Sequence, residues 1–172
     1  MDNLKIIDFL EKIPEPNRSR CKKLLIENSE RFENAPGSLR KHQSWKGGYM
    51  DHVLETMKIA SLLYVSMSKY RVLPFELHDA LLVLFLHDLE KPFKYVEPKV
   101  VFNDDNEKKI FIFNLVNQFG IELQEEHRNA LKYIHGEGDE YNQLIRIQGP
   151  LGAFVSMCDI VSARIWFEYP KR

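Results

Sequence analysis

The chain has only two cysteines, Cys21 and Cys158, far apart and without the spacing of a disulfide framework. That excludes a disulfide-stapled secreted scaffold, and two unpaired thiols point to a reducing compartment, the cytoplasm. Cys158 lies in an apolar stretch and reads as a buried thiol, whereas Cys21 sits among basic residues and is expected to be partly exposed. Long apolar runs are also missing. The longest, Ala80 to Leu86, falls far short of the ~20 residues that span a bilayer, so no membrane segment is expected. The opening MDNLKIIDFLEKIPEP alternates charged and apolar residues and holds no signal-peptide core. Nor is there an excess of one charge: 24 Lys and Arg face 25 Asp and Glu, which argues against dedicated duplex-DNA binding. Repeats, low-complexity stretches and dividing linkers are absent, and 172 residues suit one domain.

What the chain does have is apolar side chains in helical rhythm, 44% of its residues, including eleven Phe and seven Tyr. Helices are expected over 2–12 and 17–33, separated by Pro14-Glu15-Pro16, and over 49–69. Pro74 fits the start of a further helix to about Leu89, ending near Pro92. Others are expected over 107–118 and 122–134, and from Gly149-Pro150 through Trp166. Residues 93–104 have strand-like composition interrupted by Pro98. The expected fold is an all-α single compact domain, residues 1–172.

Against this apolar background a few histidines and aspartates stand out in one order: His52, then His87-Asp88, then Asp159. Imidazole nitrogen and carboxylate oxygen suit a divalent transition metal, and burying such groups unpaired is costly. Neighbours on a helix point about 100° apart, so His87 and Asp88 reach one ion only near a helix end or in a tight cavity. The same dipeptide occurs as His78-Asp79, about half a rotation away on a continuous helix, where it reads as a solvated structural pair. One dipeptide alone is therefore weak. Asp159, within FVSMCDIVSARIW, adds weight, because a lone carboxylate there would be neutralised whereas a cation would hold it ionised.

Residues 42–166 resemble the HD-domain phosphohydrolase superfamily, whose motif is His, His-Asp, then Asp. The segment GGYMDHVLETMKIA is similar to the GG-x-x-x-H opening of HD domains associated with 3′-to-5′ exoribonucleases, and LFLHDLEKPFKY to the apolar run into HD-x-x-K. Glu90 stands where those relatives often have glycine, so no role transfers to it. The resemblance implies an all-helical fold with a metal in a cleft between core helices. It also implies hydrolysis of a phosphoester or phosphoanhydride, usually in nucleotides or nucleic acid; with no nucleic-acid-binding module in evidence, a nucleotide or a short or cyclic oligonucleotide is expected over a long polymer.

On this reading His52, His87, Asp88 and Asp159 hold one divalent ion, with Mn, Fe, Co, Ni or Zn favoured over Mg. Asp88 would also orient the attacking water. Lys91, nearly on the face of His87 and Asp88, would neutralise charge on a phosphate, or else be a solvated lysine at a helix end. His135 is a substrate-phosphate contact or leaving-group acid, against a structural role at a helix end. His127 reads as surface, Ser162 as support for Asp159, and Glu90 equally as a base or a surface carboxylate. His42, Trp45 and Lys46 form a candidate base-and-phosphate pocket, against a loop that Trp45 merely anchors. The partner is then a nucleotide or other small phosphorylated substrate, and a homo-oligomer is compatible. Two other classes stay open: a nucleotide-binding regulatory module without turnover, and a helical interaction protein with satisfied core histidines.

Overall fold

The computed structural model describes residues 2–168, and the side chains of 6–168. The described residues are helical, with no strand among them. The helices are α1 (Asp2–Leu10), α2 (Asn17–Glu27), α3 (Ser29–Asn34), α4 (Gly48–Tyr70), α5 (Leu77–Leu86), α6 (Glu90–Tyr95), α7 (Asp105–Gln118), α8 (Glu125–Tyr133) and α9 (Pro150–Arg164). A 3₁₀ turn, Gly138–Glu140, lies between α8 and α9.

Helix α5 is the axis of the core. All seven residues from Ala80 to Leu86 are buried, as a helix apolar on every side must be. It packs against α4, α8 and α9, and α4 in turn packs on α1 and α9. Helix α9 turns Leu151, Phe154, Val155, Cys158 and Ser162 inward at three- and four-residue spacing. The core runs without a gap from Ile6 in α1 to Cys158 in α9.

Several boundaries differ from the sequence expectation, each for a local reason. The stretch 17–33 is two helices, because the Asn28 side chain donates to the Leu24 carbonyl at 2.9 Å and leaves the helical conformation. Helix α5 starts three residues after Pro74, where Asp79 reaches back to accept from the Glu76 amide at 2.8 Å. It stops at Leu86 rather than Leu89, and the chain tightens through Leu89 N–H to Leu86 O and, entering α6, Lys91 N–H to Asp88 O. Residues 93–104 form no strand. Arg31 gathers the segment instead, donating to the carbonyls of Val96 at 2.8 Å and Pro98 at 3.1 Å and stacking on Phe93.

Two burial expectations are corrected. Cys21 is fully buried, and burial pushes its thiol up to about 12. His127 is buried, not surface: its Nδ1 accepts from the Gln124 amide and its Nε2 lies 2.9 Å from Asp79 Oδ1. The His78-Asp79 dipeptide is thus structural, as its position implied, but Asp79 is partly shielded by this contact.

Candidate metal centre

His52 comes from the first turns of α4, His87 and Asp88 from the turn after α5, and Asp159 from α9. The helix end at Leu86 is what lets two adjacent residues face one point. The His52 and His87 Nε2 atoms lie 3.4 Å apart, and Asp159 Oδ1 is 3.1 Å from the first and 3.9 Å from the second. Asp88 Oδ2 is 3.4 Å from His52 Nε2 and 3.1 Å from His87 Nε2. One donor atom each from His52, His87 and Asp159 falls within a 4.8 Å cluster. Metal–ligand bonds of about 2.0–2.2 Å put adjacent donors about 3 Å apart, so this spacing suits one ion.

The ring protons can be placed from the neighbours. His87 Nδ1 is 2.7 Å from the Leu84 carbonyl, which can only accept, so Nδ1 carries the hydrogen. Ser162 Oγ donates to Glu55 Oε2 at 2.6 Å and must therefore accept from His52 Nδ1 at 3.0 Å. When neutral, as metal binding would require, both rings point an Nε2 lone pair at the same spot, facing two carboxylates. Four such groups converging in a buried site could hold a cation. Neither Asp88 oxygen has a hydrogen bond of good direction, although Lys91 Nζ lies 2.5 Å from Oδ2.

Without an ion, the surrounding carboxylates favour a proton on His87, the positive charge that a bound cation would replace. Burial opposes charge on His87, but the Asp88 carboxylate outweighs it and raises the ring to about 9. Burial would also raise Asp88, yet His87 and Lys91 hold it well below the usual carboxylate range. Asp159 is lowered against its burial by the His52 hydrogen bond. Lys91 is raised despite burial by its contact with Asp88. Glu90 is not on the surface: it is buried with Oε2 unpartnered, and burial with the nearby Asp88 charge raises it to about 7.

Two cavities meet at His135, whose Nε2 stands 3.6 Å from Asp159 Oδ2 and 3.9 Å from Asp88 Oδ1. One, of about 560 Å³, reaches His87, Asp88 and Lys91. The other, of about 810 Å³, reaches Asp159 and is walled by His42, Ile160, Arg164 and Phe167. His42 therefore sits at the centre, its ring 4.9 Å from that of His52. Trp45 and Lys46 line neither cavity. Trp45 instead donates to Asp51 Oδ2 at 2.7 Å, which ties the loop to the first turn of α4, and Lys46 is exposed.

Sequence reasoning missed Gln43 and Glu55. Glu55 follows His52 by three residues on α4, so its face was readable. Gln43 gave no such sign. It holds φ +40, is buried, and its Nε2 donates to Glu55 Oε2 at 3.0 Å and to the Trp166 carbonyl at 3.1 Å. With the amide so oriented, its Oε1 faces His42 Nδ1 at 2.7 Å. Gly48 is required beside it, since a Cβ there would meet the Gln43 carbonyl oxygen at 1.9 Å. Ser162 supports His52 rather than Asp159.

No family model matches the chain, and neither the curated proteins nor the solved structures include a significant match to it.

Proposed function

We propose that the protein is a divalent-metal-dependent phosphohydrolase of the HD-domain type it resembles, acting on a nucleotide or short phosphodiester. The observation that carries this reading is the pair of imidazole Nε2 atoms facing each other at 3.4 Å between two buried carboxylates, open to cavities on both sides. His52, His87 and Asp159, with Asp88, would hold the ion, and their mixed nitrogen and oxygen donors favour Mn, Fe, Co, Ni or Zn over Mg. When bound, such an ion supplies a water acidified toward neutral pH and polarises a phosphoryl oxygen.

The chain's own groups do the rest. Lys91, only 14% exposed, carries its charge to the cavity floor, where it offsets negative charge growing on the phosphoryl oxygens. Asp88 anchors that ammonium and orients the water. His135, 61% exposed at the junction of the cavities, is placed to donate a proton to a leaving oxygen. His42 is held by Gln43 with its Nδ1 engaged, which leaves Nε2 as an acceptor for a substrate hydroxyl or amino group. The two unpaired, buried cysteines support a cytoplasmic location.

The test is turnover of a nucleotide and phosphodiester panel by purified protein, before and after chelation and with manganese restored. Hydrolysis that disappears on chelation and returns with metal is expected, with Lys91→Ala lowering kcat by about 10²-fold. Full activity after exhaustive chelation would falsify the scheme. Bound metal without turnover on the whole panel would favour a nucleotide-binding module instead.

A further inference from the structure

The loop before α4 holds one buried residue in a backbone conformation that side chains other than glycine's rarely adopt. Gln43 is 2% exposed at φ +40, and such a conformation persists where the surrounding contacts over-determine it. Those contacts also fix its amide. Nε2 faces acceptors: Glu55 Oε2 at 3.0 Å and the Trp166 carbonyl at 3.1 Å, with the Ser162 hydroxyl and carbonyl farther off at 3.3 and 3.4 Å. Oε1 is therefore the atom 2.7 Å from His42 Nδ1, which must carry the ring hydrogen to donate to it.

Glu55 Oε2 is the shared atom. It accepts from Gln43 Nε2 and from Ser162 Oγ, and the second bond is what leaves the Ser162 hydroxyl to accept from His52 Nδ1. One amide thus reaches two imidazoles, His42 directly and His52 through Glu55 and Ser162, and the two rings stand 4.9 Å apart. A glutamine that only fastened the loop to the segment after α9 would need no more than its bonds to the Trp166 and Phe167 carbonyls. The bonds to Glu55 and His42 serve the rings instead.

We propose that Gln43 is a positioning residue of the candidate metal centre: it sets the hydrogen of His42 on Nδ1 and, by holding Glu55, keeps Ser162 as the acceptor that leaves His52 Nε2 for the ion. Without it Glu55 loses a partner, Ser162 can turn to donate to His52 Nδ1, and the ring hydrogen moves to Nε2, where it competes with metal. The His52 arm rests on the metal centre of the hydrolase reading; the His42 arm is independent of it.

The experiment combines long-range proton–nitrogen NMR of the imidazole rings at neutral pH with zinc affinity by competition, on the full chain and on Gln43→Met. Methionine keeps the length of the side chain and removes both its donor and its acceptor. Wild-type His42 is expected as the Nδ1–H tautomer. His127, whose Nδ1 accepts from the Gln124 amide, gives the opposite pattern and is the internal reference. In Gln43→Met the His42 ring should lose its Nδ1–H preference while His127 is unchanged, and zinc affinity should fall about tenfold. In a Ser162→Ala background, where the relay is already broken, the same substitution should cost less than about twofold. Gln43→Asn, which suits a positive φ but falls one carbon short, carries the test if the methionine variant fails to fold. An Nε2–H tautomer of His42 in the wild type overturns the role. So does zinc affinity that Gln43→Met leaves unchanged, or a loss that multiplies in full with that of Ser162→Ala. A chain that binds no zinc removes the centre and this role together. These dependences without turnover of any phosphate ester remove the hydrolase reading alone, and metal-dependent turnover without them removes the role of Gln43 alone.

Discussion

Two acceptors set the protons at the centre: the Leu84 carbonyl behind His87 and the Ser162 hydroxyl behind His52. Ser162 acts only because Glu55 takes its own hydrogen, so the chain Glu55–Ser162–His52 is a positioning device. Ser162→Ala is expected to weaken metal binding about 10- to 100-fold while the fold persists, measured by metal titration beside circular dichroism. Unchanged affinity would mean that the ring is held by packing alone. His42 gives a second residue-scale prediction. Burial, with Lys91 and His52 nearby, lowers it to about 4 from an unfolded value near 6.5. Between those values the unfolded chain binds more protons, so this residue's stability contribution is complete above pH 6.5 and declines toward pH 4. Denaturant midpoints across that range should fall with pH in the wild type and fall less in His42→Ala. Equal slopes would contradict the assignment.

At the scale of the element, α5 joins stability to the site. Its buried apolar residues fix the axis of the core, and its early end rotates His87 and Asp88 together toward α4 and α9. Leu84 is fully buried, and its carbonyl is the one that orients His87. Leu84→Ala is expected to cost about 2–5 kcal/mol in denaturant unfolding, a large share of a typical 5–15 kcal/mol. A loss below about 1 kcal/mol would show that the core around α5 is looser than described. The apolar run of α5 was plain in the sequence, as were the long periodic helices α4 and α9. Its end was not, because the stop is made by i-to-i−3 bonds and a histidine side chain that no spacing announces. Strand-like composition over 93–104 misled for a related reason: the partner that organises the segment, Arg31, lies more than sixty residues away in the chain.

Across the whole molecule, the all-helical fold followed from hydrophobic period, and the four candidate metal ligands stood out as polar groups in apolar helices. Their convergence, with Nε2 and carboxylate oxygens about 3 Å apart, needed the packing of α4, α5 and α9. Burial of Cys21 with Leu24 and Leu25, and of His127 with Ala130 and Leu131, follows the same three- and four-residue spacing that marks any inward face. Local polarity had masked it. Gln43 lay beyond sequence reasoning, since its positive φ and its side-chain hydrogen bonds depend on contacts with α4 and the segment after α9.

The central claim is that His52, His87 and Asp159, with Asp88, hold one divalent ion. The most direct measurement is elemental analysis of the full chain after exposure to manganese, iron, cobalt, nickel or zinc and removal of the excess, with folded His87→Ala and Asp159→Ala alongside. The account predicts one equivalent of metal per chain in the wild type and its loss in both variants. A folded wild type that retains no ion, or variants that retain it fully, would contradict the claim.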